Sequence, residues 1–342
     1  ALSINACILI MDEPTSSLSK SETVQLFRVM KELKSQGVSI IYISHRLGEV
    51  KEVADRVTAL RDGCNSGDIS REEIDYNRMV KLMVGRNIQK FYHHMQHLAP
   101  NTVFEARDLI IPNNPEHPIN LKLNSGEILV LAGLIGAGRT ELLQTLFGID
   151  EPIGGTILLN GKQIVIKSPG DAIHAGIGFV PEDRRLNGLI LEMAVETNIT
   201  LAGLNHYQKM KFIRFDQVQS VAKNMIKQLN IRTPSIEQEI QFLSGGNQQK
   251  VVLAKWLSLK PRILLLDEPT RGLDIVAKEE IYRLIEKLVS GGVGILMASS
   301  EMLEIIGIAD RILVMHEGRI SGELNREQFS EEAVVNLANG GK

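Results

Sequence analysis

Residues 11–63 and 266–318 carry one pattern written twice. The stretch "MDEPTSSLSKSETVQLFRVMKELKSQGVSIIYISHRLGEVKEVADRVTALRDG" aligns without a gap to "LDEPTRGLDIVAKEEIYRLIEKLVSGGVGILMASSEMLEIIGIADRILVMHEG". The offset is constant at 255, pairing Asp12 with Asp267 and Asp55 with Asp310. About a third of the aligned positions are identical and the apolar ones track each other nearly throughout, which marks a duplicated domain. In each copy, apolar runs ("ILIMD" and "SIIYIS", then "ILLLD" and "GILMAS") alternate with helical periodicity over 21–34 and 277–289. Runs without polar alternation suit strands of a parallel sheet covered on both faces. The expected fold is α/β, a mostly parallel sheet flanked by helices.

Upstream of the repeat, the second copy has a full region beginning near residue 101, whereas the first has only a few residues. Residues 1–63 are therefore expected to be the C-terminal part of a first domain, 64–100 an interdomain linker, and 101–342 a complete second domain. Roughly 150 residues belonging to the first domain are expected to be missing ahead of Ala1. The linker's first part shows a short helical pattern at Met79, Val80, Leu82 and Met83. Its "FYHHMQHL" offers imidazoles to a metal, but no carboxylate or cysteine joins them, so it reads as solvated linker.

Composition narrows the function classes. With 44% hydrophobic and 23% charged residues the chain can bury a sizeable core, and a net charge of -3 gives no field for nucleic acid. No apolar run reaches the roughly 18–20 residues that span a bilayer. Cys7 and Cys64 lack metal-ligand spacing and suit a reduced compartment. No secretory signal is expected ahead of the first strand.

The chemistry concentrates in the second copy. In "LVLAGLIGAGRTELLQTLF", residues 129–147, Gly133, Gly138 and Thr140 fit the phosphate-loop pattern G-x-x-x-x-G-K-[ST], with Arg139 in place of the lysine. Glycines let the backbone curl and turn its N–H groups to phosphate oxygens, and the helix that follows adds its dipole. Thr140 is placed to ligate Mg2+. "RILLLDEP", residues 262–269, ends a buried strand in Asp267, suited to the metal shell, and Glu268, suited to activating water. "FLSGGNQQKVVLAKWL", residues 242–257, opens a helix with Ser244, Gly245 and Gly246, a second anion cradle.

"LSGGNQQ", the altered phosphate loop and "LDEPTRGLD" together resemble the nucleotide-binding domains of ABC transporters. With "GLIGAGRTEL", "PEDRRLNGL", "SSEMLEI" and "DRILVMHEGRISGE", the chain is similar over essentially its whole length to ATP-binding subunits of bacterial monosaccharide importers, the ribose importer's above all. The resemblance implies a P-loop NTPase fold of ABC type with an antiparallel β subdomain and a helical subdomain over 183–243. It implies ATP and Mg2+ as cofactors, and two head-to-tail sites, each between one domain's phosphate loop and the other's Ser-Gly-Gly turn. It adds Gly136, Ala137, Glu141 and Gln248 to the nucleotide contacts.

The resemblance also makes the two sites unequal. On the second copy's loop, Arg139 replaces lysine, Glu182 stands where the family has glutamine, and Ser300 aligns with His45, the expected γ-phosphate sensor. No aromatic in "LIIPNNPEHP" offers to stack on adenine. That site is expected to hold nucleotide and hydrolyse poorly through Glu268. The other site takes Asp12 for Mg2+, Glu13 as base and His45 from the first copy, and Ser244, Gly245 and Gly246 from the second. Ser19 stands there where the second copy has Asp274. The implied role is the ATPase subunit of a monosaccharide importer, with ribose the expected sugar. It would lie peripherally on the cytoplasmic face of the bacterial inner membrane, working with membrane permease subunits and, indirectly, a periplasmic sugar-binding protein. Pairing with a second copy of the chain is also expected. The alternatives are a non-catalytic nucleotide-binding or regulatory fragment, and a soluble ribosome-associated ATPase, against which the acidic balance and Arg139 count.

Overall fold

The computed structural model describes residues 6–15, 18, 20–44, 47–61, 63–84 and 101–341. Two compact units emerge, Ala1–Phe91 with Asp274–Val276, and Tyr92–Leu273 with Ala277–Lys342. In the first, β1 (Ile8–Asp12) and β2 (Ser39–Ile43) pair in parallel across α1 (Lys20–Ser35). Then come α2 (Leu47–Val53), the antiparallel hairpin of β3 (Arg56–Arg61) and β4 (Cys64–Ser70), and α3 (Tyr76–Val84).

Two expectations change here. Residues 64–84 are folded rather than linker: they form β4 and α3, and Ile69, Ile74, Met79 and Val80 join Leu47 and Val50 in the core. These apolar side chains have β3 and α2 to bury against, which outweighs the polar look of the stretch. The remainder, 85–100 with its histidines, lies outside the described residues, as do Ser19 and His45. Nor are the first unit's strands covered on both faces. Ile8, Ile10, Ile41 and Ile43 are exposed, alternating with half-buried residues along β1 and β2.

The second unit opens with β5 (Thr102–Ile110), β6 (Ile119–Asn124), β7 (Ile128–Gly133), α4 (Arg139–Phe147), β8 (Gly154–Leu159) and β9 (Lys162–Ile164). It continues through α5 (Pro169–His174), β10 (Ile177–Val180), α6 (Val195–Thr200), the hairpin of β11 (Gln208–Lys209) and β12 (Phe212–Ile213), α7 (Phe215–Gln228) and α8 (Gly245–Leu257). It closes with β13 (Ile263–Asp267), α9 (Ile275–Ser290), β14 (Gly294–Ala298), α10 (Met302–Ile308), β15 (Arg311–His316), β16 (Arg319–Asn325) and α11 (Glu331–Ala338). The central sheet runs β10-β13-β14-β7-β15-β16, parallel except for its last pair. Its middle strands are buried as their continuous apolar runs require. A separate antiparallel sheet has the order β6-β5-β8-β9. The region 183–243 is helical only in part, since it also holds the β11–β12 hairpin and several short turns.

The duplication runs past residue 63. β4 and α3 recur as β16 and α11 at the same offset, with Ser66, Gly67, Arg71, Glu72 and Leu82 identical to Ser321, Gly322, Arg326, Glu327 and Leu337. Side-chain bonds recur as well. Ser66 Oγ donates to Ala59 O and Ser321 Oγ to Val314 O, each at 3.0 Å. Arg71 caps the carbonyls of Lys51 and Ala54 after α2, as Arg326 caps those of Ile306 and Ala309 after α10. Thr15 donates to Glu49 at 2.7 Å and Thr270 to Glu304 at 2.8 Å.

Glu304 is fully buried, and its second oxygen accepts from Ser299 Oγ. Burial pushes its carboxyl up from 4.5 to about 7, with the Ser299 hydroxyl opposing. The folded state therefore favours the protonated acid, so this group's stabilisation is complete below about pH 4.5 and is lost as pH rises through about 7. Glu304→Gln should remove that loss, on the order of 3 kcal/mol, and flatten stability against pH between about 5 and 8 in urea titrations.

Candidate functional site

At Gly133 the chain leaves the buried strand β7 and curls into α4 through glycines with left-handed φ: 151° at Gly133, 81° at Gly136 and 97° at Gly138. A Cβ on Gly133 would lie 2.5 Å from the Met315 carbonyl oxygen, and one on Gly138 would lie 3.2 Å from Gly318 Cα. Gly136 faces open space. The turn presents the first N–H groups of α4, which have no intrahelical acceptor, at the loop's mouth, where an anion fits. Ala137 plays a different part: it is buried and its N–H donates to Leu134 O at 3.1 Å, bracing the turn. Asn114 also belongs here, its amide close beside Gly138 and Gly318. Nothing in the sequence distinguishes it from an ordinary turn residue.

β13 lies between β10 and β14, so Asp267 at its end is buried, and neither of its oxygens accepts a hydrogen bond. Burial pushes its carboxyl up to about 6; the Thr140 hydroxyl and Arg139 oppose the rise, and the charges of Glu268 and Glu141 add to it. An orphaned buried carboxylate beside a hydroxyl suits a divalent cation whose remaining ligands are phosphate oxygens and water. Among the described residues no cluster of three or more His, Cys, Asp or Glu could hold a metal by itself.

Glu268 turns off the strand with φ 44°, its N–H donating to Ala298 O at 3.0 Å. Arg139 Nη1 lies 3.3 Å from Glu268 Oε1 and also donates to Ser299 O, while Ser300 Oγ donates to Glu268 Oε2 at 3.1 Å. Both charged side chains are only 10% exposed. Burial raises the Glu268 carboxyl's pKa and the Arg139 guanidinium opposes the rise. Ser300, expected to meet nucleotide, is exposed and bound to the glutamate here. In the first unit Glu13 repeats the conformation, with φ 45° and its N–H on Ile43 O at 2.9 Å, and Asp12 ends β1 as Asp267 ends β13.

A second group of predicted residues gathers around α8. Ser244 caps that helix and its Oγ accepts from Asn247 Nδ2 at 2.9 Å, leaving the hydroxyl hydrogen to donate elsewhere. A Cβ on Gly245 would lie 2.9 Å from Arg184 Nη2, the movable end of a long side chain, and one on Gly246 2.8 Å from Ala277 Cβ, which leaves no room for a side chain at Gly246. Glu182 does not stand free for a metal: it is ion-paired with Arg271. Arg184, unremarked in the sequence, donates to Arg271 O at 3.1 Å. Gln248 corrects an expectation. It is 1% exposed and donates to the carbonyls of Ile240 and Leu243, because its place on α8 faces the interior rather than the helix mouth.

The sequence model of the ABC transporter family matches residues 117–271. The chain is 46% identical to a "Ribose import ATP-binding protein RbsA" of Lactococcus lactis subsp. cremoris, covering 98% of this chain and 68% of the relative. It is likewise 46% identical to a "Xylose import ATP-binding protein XylG" of Thermoanaerobacter pseudethanolicus, covering 100% of this chain and 69% of the relative. The chain spans about two thirds of the length of the curated relatives it matches. Among solved structures, a nucleotide-free ATP-binding cassette from an ABC transporter superposes with a TM-score of 0.60 at 20% identity, over 69% of this chain and 98% of that one. This last likeness bears on the fold alone.

The loop's geometry separates its glycines. Gly133→Ala combines a disallowed φ with a backbone collision and should cost about 2 kcal/mol or more, whereas Gly136→Ala, strained but unobstructed, should cost about 1 kcal/mol. Equal losses in chemical denaturation of the two variants would contradict this reading.

Proposed function

Since the chain belongs to the ABC transporter family of sugar-import ATP-binding proteins, we propose that it binds ATP and contributes the ATPase activity that drives import of a monosaccharide, ribose foremost. The observation that carries this is the glycine turn into α4 standing beside the buried, unsatisfied Asp267. The phosphates rest on the N–H groups of the loop and of α4's first turn. Asp267 and Thr140 would hold Mg2+, which when bound would neutralise phosphate charge.

We read the second unit's site as one that holds nucleotide and turns it over slowly. A glutamate can activate water only if an oxygen is free to take its proton. Here Arg139 and Ser300 engage one oxygen each. The stronger turnover is assigned to the acids of the first unit, Asp12 with Glu13, together with His45. Residues 1–84 are read as the C-terminal part of one cassette and 101–341 as a second. Membrane permease subunits are the direct partners, with a periplasmic sugar-binding protein acting through them. A second copy of the chain is a further partner, and the place of work is the cytoplasmic face of the inner membrane. Among the described residues no helix is long and apolar enough to cross a membrane.

Binding of a fluorescent ATP analogue to the 342-residue chain tests the first step: Thr140→Ala and Asp267→Asn should each weaken Mg2+-dependent affinity about tenfold or more. Phosphate release tests the second. Glu268→Gln should change it less than about twofold, while Glu13→Gln removes most of it in the transport complex. Fast hydrolysis abolished by Glu268→Gln alone would reverse the assignment. Uptake of labelled ribose against xylose by the reconstituted complex decides the sugar.

A further inference from the structure

Residues 206–215, "HYQKMKFIRF", carry the β11–β12 hairpin, which the nucleotide chemistry leaves unused. Lys209 pairs with Phe212, so Met210 and Lys211 are the two turn residues, with φ of 53° and 69°. A two-residue turn with both φ positive favours Asn-Gly, and a methionine there is both strained and without a core to enter. Met210 is 85% exposed, Phe212 78% and Phe215 68%. The hairpin is nevertheless anchored: Tyr207 is buried against Gly203, and Arg214 N–H donates to Tyr207 O at 2.8 Å. Between the apolar side chains stand Lys209, Lys211 and Arg214, all exposed and without an acidic partner among the described residues, in a chain whose net charge is -3.

We propose that this hairpin is a membrane-surface contact, with Met210, Phe212 and Phe215 entering the headgroup region of an anionic bilayer while Lys209, Lys211 and Arg214 meet lipid phosphates. A protein partner is the lesser fit. Lysine is depleted from protein interface cores, whereas apolar side chains interspersed with unpaired cations on an exposed hairpin match an anionic lipid surface. With no membrane-spanning helix among the described residues, such a contact is peripheral. It is weak by itself, as few anchors give only reversible attachment. It is also independent of the nucleotide reading.

Co-sedimentation of the 342-residue chain with phosphatidylcholine vesicles, with and without phosphatidylglycerol, tests it. Binding should require phosphatidylglycerol and weaken with salt. It should fall about tenfold in Lys209→Glu/Lys211→Glu and comparably in Met210→Asn/Phe212→Ser. Because the altered side chains are exposed, ATP-analogue binding of both variants should match the parent chain and neither should melt lower, Met210→Asn relieving turn strain, which keeps any failure of the nucleotide reading separate. Three results would each overturn the proposal: no sedimentation with either vesicle, variants that bind like the parent, or a loss seen only when the vesicles carry permease, which marks a protein-docking surface.

Discussion

The buried contact between Arg139 and Glu268 sets the state of everything around it. Arg139 begins α4, Glu268 follows the last residue of β13, and the same guanidinium reaches the carbonyl of Ser299 beyond β14. A planar fork can satisfy a carboxylate and a carbonyl at once; an ammonium acts as a compact point charge on a longer, looser stem. At 10% exposure neither partner is screened by much water. Removing one alone leaves an uncompensated buried charge, a defect of about 3–5 kcal/mol. The arginine thus ties the start of α4 to the residue after β13 and to the residue after β14 through one side chain.

Much of this was legible in sequence because it rests on short, local patterns. The glycine spacing, the strand ending in Asp267 and Glu268, and the helix opened by Ser244 each need only neighbouring residues, and each sits where its pattern implies. The duplication was legible as far as apolar runs carried it. It was lost at residue 64, because in "CNSGDIS" only Ile69 is buried and a polar hairpin strand gives no hydrophobic period to read. The remaining signal was pairwise: Ser66, Gly67 and Arg71 recur as Ser321, Gly322 and Arg326, residues whose work is to satisfy carbonyls or admit a leucine. What could not be read was placement across the chain. Asn114 beside Gly138, Arg184 beside Gly245, and the inward turn of Gln248 depend on elements distant in sequence.

The segment 182–188 shows how such distant placement acts. Its Glu182 and Arg184 both engage Arg271, one through the guanidinium and one through the carbonyl. Its Gly188 carbonyl accepts from Lys255 on α8 at 2.8 Å. Lys255 is buried, and burial lowers its ammonium to about 8. Three bonds therefore tie the turn after β10 both to the loop after β13 and to the helix opened by Ser244. Arg184, bonded to the Arg271 carbonyl, places its guanidinium in the space that a side chain at residue 245 would need. Gly245 thus leaves room for Arg184, which reaches from the opening of α8 to the loop after β13. The charge of Glu182 is met by Arg271, and this ion pair is part of the linkage.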